Sequence, residues 1–287
     1  MRIAVIGCNG FIGSNLVDYL CRIENIEVLP VHFSDSTRKW ESVRFDAFVE
    51  DNTKLDVVVF AGGNSVHLVE DEKLYEVIQK DSRYIMEVFQ SKQLEVAIML
   101  SSAAVYYGYT GFVNEETCPK PNTNYGISKR LAEMIFEKEI KKKGIKGIIL
   151  RLTHAYGRGE KTTRLYSKIA YCIKSNEELK VFGNGESYIN PVPVEYLGEV
   201  VYQLAKEPSE KEIDYYNVGS YEPIKVKDIV FEASRRFGLR YRFEGDETQP
   251  VNFVVDVTKL AKRGLVFKDA LKRYMDSLEN VLSARIK

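Results

Sequence analysis

Arg2-Ile3-Ala4-Val5-Ile6 runs into Gly7-Cys8-Asn9-Gly10-Phe11-Ile12-Gly13 and then into Ser14-Asn15-Leu16-Val17-Asp18-Tyr19-Leu20. The first segment is a short apolar run of β type, and the last has the apolar spacing of a helix. Three glycines stand between them as Gly-x-x-Gly-x-x-Gly. Strand, glycine turn and helix in that order are the context a dinucleotide fingerprint requires. One glycine makes the tight turn, one lets the backbone approach a pyrophosphate, and one lets helix and strand pack closely. The helix N-terminus then presents N–H groups and the positive end of its dipole to phosphate. Gly7, Asn9, Gly10, Phe11, Ile12 and Gly13 are the candidate cofactor-binding residues of this turn.

Outward from the turn, the alternation continues. Ile26 to His32 reads as a second strand, whose tip should meet the adenosine ribose. An acid there selects NAD, and a nearby arginine suits NADP. The tip reads His32-Phe33-Ser34-Asp35-Ser36-Thr37-Arg38-Lys39, with no acid at the strand end. The reading leans to NADP over NAD, with Ser34 and Arg38 as phosphate contacts; a solvated loop is the competing reading. Leu55 to Phe60 is a third strand, apolar from Val57 as a doubly covered parallel strand is. Ala61 and Gly62 close it with small residues where a cofactor backbone can pass. A helix spans about 72–91, and Val96 to Leu100 is a fourth strand leading into Ser101-Ser102-Ala103-Ala104-Val105-Tyr106. Ile145 to Leu152 is a fifth. Strands and helices in this succession predict an α/β doubly wound parallel sheet.

Asn124-Tyr125-Gly126-Ile127-Ser128-Lys129 opens the helix between the fourth and fifth strands, about 124–143. Residues four apart share one helix face, so Tyr125 and Lys129 point into one space. A cation beside a phenol favours phenolate, and a tyrosine so placed can act as general acid or base on a hydroxyl or carbonyl. Taken alone, the pair reads first as a solvated helix face. Ser102, at the end of a parallel strand, stands where open α/β sheets bind ligands.

After Arg151 the pattern changes. About 163–175 is helical, Val181-Phe182-Gly183-Asn184-Gly185 carries the Asn-Gly signature of a hairpin, Asp214 to Val218 reads as a strand, and Ile224 to Phe237 as a helix. Lys+Arg and Asp+Glu are both 41, which excludes a global positive field for nucleic acid. No apolar run approaches the roughly 20 residues needed to cross a bilayer. Cys8, Cys21, Cys118 and Cys172 make no Cys-x-x-Cys pair. They read as free thiols in a cytoplasmic protein without a signal peptide. His32, His67 and His154 show no metal-ligand spacing.

Strand-glycine-helix, Ser102, and Tyr125-x-x-x-Lys129 in this order resemble the extended short-chain dehydrogenase/reductases. More narrowly, the chain resembles the NAD-dependent epimerase/dehydratase family acting on nucleotide sugars. Arg151-Leu152-Thr153-His154-Ala155-Tyr156-Gly157, Phe182-Gly183-Asn184-Gly185 and Tyr216-Asn217-Val218-Gly219 agree in order. The resemblance implies a Rossmann-like domain over 1–155, with 190–218 returning to it, and a smaller mixed α/β substrate cap over 156–189 and 219–287. It implies that Gly7, Gly10 and Gly13 hold the pyrophosphate and that Tyr125 exchanges a proton with the sugar. Lys129 would tune Tyr125 and bind the nicotinamide ribose, and Ser102 would hydrogen-bond the reacting oxygen. Ala103, His154, Arg158 and Asn190 would meet the nucleotide-sugar substrate.

Departures from the family pattern shape the functional expectation. His154 stands where members often have Asn. Ile189-Asn190-Pro191 replaces a phosphate-gripping arginine segment, and no second such arginine is evident near 245–250; Arg158, Lys161 or Arg164 would have to compensate. The acidic residues that the family's dehydratases carry beside the serine motif are alanines here, Ala103 and Ala104. The leading expectation is a keto-sugar reductase consuming NADPH or NADH. A 4-epimerase that retains NAD is the alternative, and a non-catalytic cofactor-binding scaffold is the third. The family also implies a homodimer through the helices at 72–91 and 124–143.

Overall fold

The computed structural model describes residues 1–34, 40–63, 69–245 and 253–284. In chain order, the central elements are β1 (Arg2–Ile6), α1 (Phe11–Leu20), β2 (Glu27–His32), β3 (Val43–Arg44), α2 (Phe45–Glu50), β4 (Leu55–Phe60), α3 (Asp71–Ser91), β5 (Leu94–Ser102), α4 (Asn124–Lys143), β6 (Lys146–Leu152), α5 (Val194–Lys206) and β7 (Ile213–Val218). The strands form one sheet in the order β7-β6-β5-β4-β1-β2-β3. Every pairing from β3 through β6 is parallel. Ile3 to Ile6 and Val57 to Phe60 are fully or almost fully buried, as expected of strands covered on both faces.

The chain steps outward from β1 to β2 and β3, then crosses to β4 on the other side. The carboxyl ends of β1 and β4 are therefore the switch point at which open α/β sheets take ligands. The doubly wound, Rossmann-like class read from the sequence is the class observed. The sequence reading passed over β3 and α2, which are too short to carry a periodicity.

Three aromatic rings seat the helices that bear the candidate site. Phe60 on β4, Phe89 on α3 and Phe136 on α4 lie 5.7–5.8 Å apart between centroids. Such pairs contribute about 0.5–1.5 kcal/mol each beyond their buried area. Together they hold α3 and α4 beside each other.

The chain divides into two compact units. The first is Met1–Gly108, Cys118–Leu152 and Glu195–Tyr216; the second is Tyr109–Thr117, Thr153–Val194 and Asn217–Lys287. The second unit contains 109–117, which the sequence reading left in the first, because Gly111–Val113 pairs with Phe253–Val255. Of the expected return of 190–218, the first unit takes Glu195–Tyr216, while Pro191–Pro193 pairs with His154–Tyr156 in the second. The predicted hairpin is absent. Glu178–Phe182 pairs in parallel with Arg240–Glu244, while Tyr188–Ile189 pairs with Ile224–Lys225. The turn itself exists, with positive φ at Gly183 and Gly185, but the strands it joins are not partners. Tyr156, Tyr166 and Tyr274 form the aromatic centre of this unit, with centroids 4.5–5.2 Å apart.

Candidate active site

The glycine turn is built too tightly for side chains. Gly7 has φ +87°, and a Cβ there would fall 2.6 Å from the Gly62 Cα. A Cβ on Gly13 would fall 2.2 Å from the Gly7 carbonyl oxygen. The ends of β1 and β4 and the start of α1 thus meet backbone to backbone. Gly10 is the N-cap of α1, no side chain caps it, and the first turn carries no acid. The N–H groups of that turn remain available to an anion. Phe11 and Ile12 are half-buried there. Asn9 Nδ2 donates to the Ser34 carbonyl oxygen at 3.2 Å, tying the turn to the end of β2. This cradle fits a dinucleotide pyrophosphate.

At the tip of β2 stands a ring and not a carboxylate. The edge of Phe33 lies against Gly62, 2.7 Å from where a Cβ would stand, and the ring packs with Phe45 and Tyr84 at 4.9 and 5.5 Å. Tyr84 Oη donates to the Gly62 carbonyl oxygen at 3.0 Å, which fixes the loop after Ala61. Arg38, the expected 2′-phosphate contact, lies outside the described residues.

The proton-transfer candidates converge at the start of α4. Thr123 Oγ1 accepts from the Gly126 N–H at 3.1 Å and caps the helix. A Cβ on Gly126 would lie 2.5 Å from the Ala104 carbonyl oxygen, so only glycine lets α4 press against the turn at 103–106 that follows Ser102. Ser102 caps that turn, its Oγ accepting from the Ala104 N–H at 3.1 Å. The hydroxyl proton is still available for donation. Ser102, Tyr125 and Lys129 are all buried, and the Lys129 ammonium lies 5.6 Å from the centroid of the Tyr125 ring. The one-turn spacing read from the sequence is realised as a shared, water-poor face.

Behind this face lies a network that sequence reasoning missed. Glu133, two turns after Tyr125, is fully buried. It accepts from Ser101 Oγ (2.6 Å), from Arg151 Nε and Nη2 (3.1 and 3.0 Å) and from Arg130 Nη1 (3.0 Å). Arg151 Nη1 also donates to Tyr106 Oη at 2.6 Å. The spacing Tyr125, Lys129, Glu133 puts all three on one helix face, and that was the available signal.

The other substrate candidates fall elsewhere. Ala103 is buried in the turn after Ser102. His154, Arg158 and Asn190 belong to the second unit. The His154 ring has an exposed edge yet is crowded by protein. That crowding, and then the Arg164 guanidinium, push its pKa down to about 4, so at neutral pH it offers hydrogen bonds without charge. Arg158 is exposed. Asn190 is buried with its amide committed to the protein. Nδ2 donates to the Ser220 carbonyl oxygen at 2.9 Å, and Oδ1 accepts from the Val255 N–H at 3.4 Å. The stretch expected to carry a second arginine lies outside the described residues from 246 on. Among the described residues, no group of three His, Cys, Asp or Glu side chains could hold a metal, and no helix is long and apolar enough to cross a membrane.

Residues 3–219 match the model of the NAD dependent epimerase/dehydratase family. The chain belongs to that family. It is 22% identical over 317 residues to an uncharacterised UDP-glucose epimerase of Bacillus subtilis strain 168, YtcB, covering 99% of this chain and 97% of the relative. It is 24% identical over 249 residues to the GDP-6-deoxy-D-talose 4-dehydrogenase of Aggregatibacter actinomycetemcomitans, covering 82% and 80%. Its fold matches the UDP-glucuronic acid 4-epimerase of Bacillus cereus in complex with UDP-glucuronic acid and NAD, with TM-score 0.84 at 18% identity over 98% and 99% of the chains. The UDP-glucose 4-epimerase of Thermotoga maritima, with UDP-glucose, gives TM-score 0.83 at 18% identity over 99% and 100%. Membership of that family makes this an NAD-dependent enzyme of the short-chain dehydrogenase/reductase type.

Proposed function

We propose that the protein is a nucleotide-sugar 4-epimerase that keeps its NAD through the cycle. The observation that carries the proposal is the water-poor Ser102, Tyr125 and Lys129 face in the same unit as an uncapped glycine turn. Matches to proteins named as UDP-sugar epimerases favour this reading over the reductase expected first. Held at the Gly7–Gly13 turn, NAD would supply the acceptor and donor of the hydride exchanged with the sugar carbon. Tyr125 takes the hydroxyl proton as that hydride leaves and gives it back on return. Ser102 donates to the same oxygen and orients it, while Lys129 places its positive charge beside the Tyr125 ring. Arg158, Lys161 and the neutral His154 are the proposed contacts for the substrate's phosphates and sugar.

NAD is the proposed cofactor. The lean to NADP gains no support, since the similar Bacillus cereus 4-epimerase structure holds NAD. A second reading, net oxidation or reduction at carbon 4, is favoured by one observation, the GDP-6-deoxy-D-talose 4-dehydrogenase relative. Pairing of two copies through α3 and α4 is supported by the exposed Tyr75 and Met86 on α3 and Met134 on α4.

The test is to incubate the purified enzyme with UDP-glucose or UDP-glucuronic acid and no added cofactor, following the carbon-4 epimers by NMR. Interconversion with NAD released only on denaturation is the expected result. Turnover that consumes stoichiometric NADH or NADPH with a 4-keto sugar would replace this reading with the reductase.

A further inference from the structure

Asp81 on α3 plays no part in the reading above, yet it is the acid that faces Lys129. Its side chain is 4% exposed, that of Lys129 8%, and Oδ2 stands 3.9 Å from Nζ. This is an ion pair without a direct hydrogen bond. Both carboxylate oxygens also lie 3.2 Å from where a Cβ on Gly63 would stand, so the group is seated against the loop after β4. Tyr84, one turn along α3, feels it too; burial first and Asp81 second raise that phenol well above its usual range. A carboxylate is buried at considerable cost unless an opposite charge faces it. Here the facing charge belongs to the proton-transfer face itself.

The consequence rests on the proposed reaction. Hydride and proton leave the same H–C–O–H group of the sugar. The ring that takes the hydride therefore stands beside the carbon whose hydroxyl Tyr125 serves, and Lys129 lies one helical turn from Tyr125. Oxidised nicotinamide carries a positive charge and reduced nicotinamide does not. An ammonium in that neighbourhood repels the oxidised form, and a carboxylate beside the ammonium offsets the repulsion. Glu133, the next acid along the face of α4, cannot serve, because its oxygens are held by Arg151, Arg130 and Ser101.

We propose that Asp81 is a charge-balancing positioning residue. By offsetting Lys129 it biases the site toward the oxidised dinucleotide, the form from which a 4-epimerase must start. The dinucleotide's own phosphates feel a change at Asp81 equally in both redox states, so the ratio of affinities isolates the effect.

The experiment compares wild type with Asp81→Asn, which is nearly isosteric, and with the smaller Asp81→Ser, each freed of bound cofactor. Dissociation constants for NAD+ and NADH are measured by calorimetry and nicotinamide fluorescence, and folding is checked by thermal melts. The expected result is a rise of about 3- to 30-fold in Kd(NAD+)/Kd(NADH) on loss of the carboxylate. A ratio unchanged within about twofold in a folded variant, or equal weakening of both forms, overturns the inference and leaves the epimerase reading standing. Failure of both variants to fold also overturns it, since Asp81 is then a structural residue. Binding of neither dinucleotide by wild type brings down the cofactor reading and this inference with it.

Discussion

Two buried ion pairs lie one turn apart on α4, and they are built to opposite specifications. At Glu133, both carboxylate oxygens are occupied by Arg151, Arg130 and Ser101, and Arg151 goes on to Tyr106 Oη and lies over the rings of Tyr106 and Tyr215 at 5.0 and 4.8 Å. The ends of β5 and β6 and the turn after Ser102 are locked by one saturated cluster. At Lys129, the counter-ion stands 3.9 Å away, and among the described residues the ammonium donates no hydrogen bond to the protein. A saturated pair can only hold the framework. A loose pair holds its charge in place and keeps its donors for a ligand. The first makes the site rigid, and the second leaves it something to do.

Two substitutions test that division, the first acting on chemistry and the second on the framework. Tyr125→Phe removes one hydroxyl from the loose side. Turnover should fall by about 100- to 10,000-fold, with NAD affinity and melting temperature close to wild type. A loss below about tenfold would remove Tyr125 from its assigned role. Glu133→Ala strips the saturated side and leaves Arg151 buried without its carboxylate. Breaking such a pair costs about 3–5 kcal/mol, read in urea denaturation. A cost under about 1 kcal/mol would show that the cluster is not a lock.

What the sequence revealed follows the same divide. The glycine turn and the Tyr125–Lys129 pair are legible because their chemistry lies in contiguous spacing: a fixed turn geometry in one case, one helical turn in the other. Asp81 and Arg151 meet α4 only through the tertiary fold, and nothing local in α3 marks Asp81 out from its other acids. The Asn184-Gly185 turn was read correctly as a turn and wrongly as a hairpin, because turn chemistry says where a chain reverses and not which strand it then pairs with. Asn190 shows the limit of position. Its place in the motif order is legible, but the commitment of its amide to Ser220 and Val255 is not. Phe33 was visible as a missing acid, while its packing on Gly62 was not.

The second unit has a partly buried acid of a third kind. Glu160 accepts from the Ser167 N–H at 3.2 Å. Burial outweighs that bond and the nearby Arg164 and pushes its pKa up to about 7. The folded state therefore holds a proton that the unfolded chain releases near pH 4.5. Stability from this group is full below that value and is lost as pH rises through 7, by up to about 3 kcal/mol. Glu160→Gln should match wild type at pH 4.5 and exceed it at pH 8 in thermal melts. Parallel pH curves for the two proteins would refute the assignment.

The smallest effect belongs to the pair that looks most like Glu133–Arg151. Glu232 receives Arg235 Nε and Nη2 at 2.8 and 2.7 Å, the same two-pronged contact, and Arg236 as well. The hydrogen bonds from Arg235 and Arg236 hold its carboxyl down at about 2. The sign favours the folded state above the ordinary carboxylate range, with the benefit lost as pH falls toward 2. But Arg235 is largely exposed, and water and salt screen what the buried cluster feels in full. Glu232→Gln should leave the melting temperature at neutral pH unchanged within error, at low and at high salt alike. A clear, salt-sensitive drop would mean that fork geometry and not burial sets the strength of these pairs, and the contrast drawn along α4 would then have to rest on distance alone.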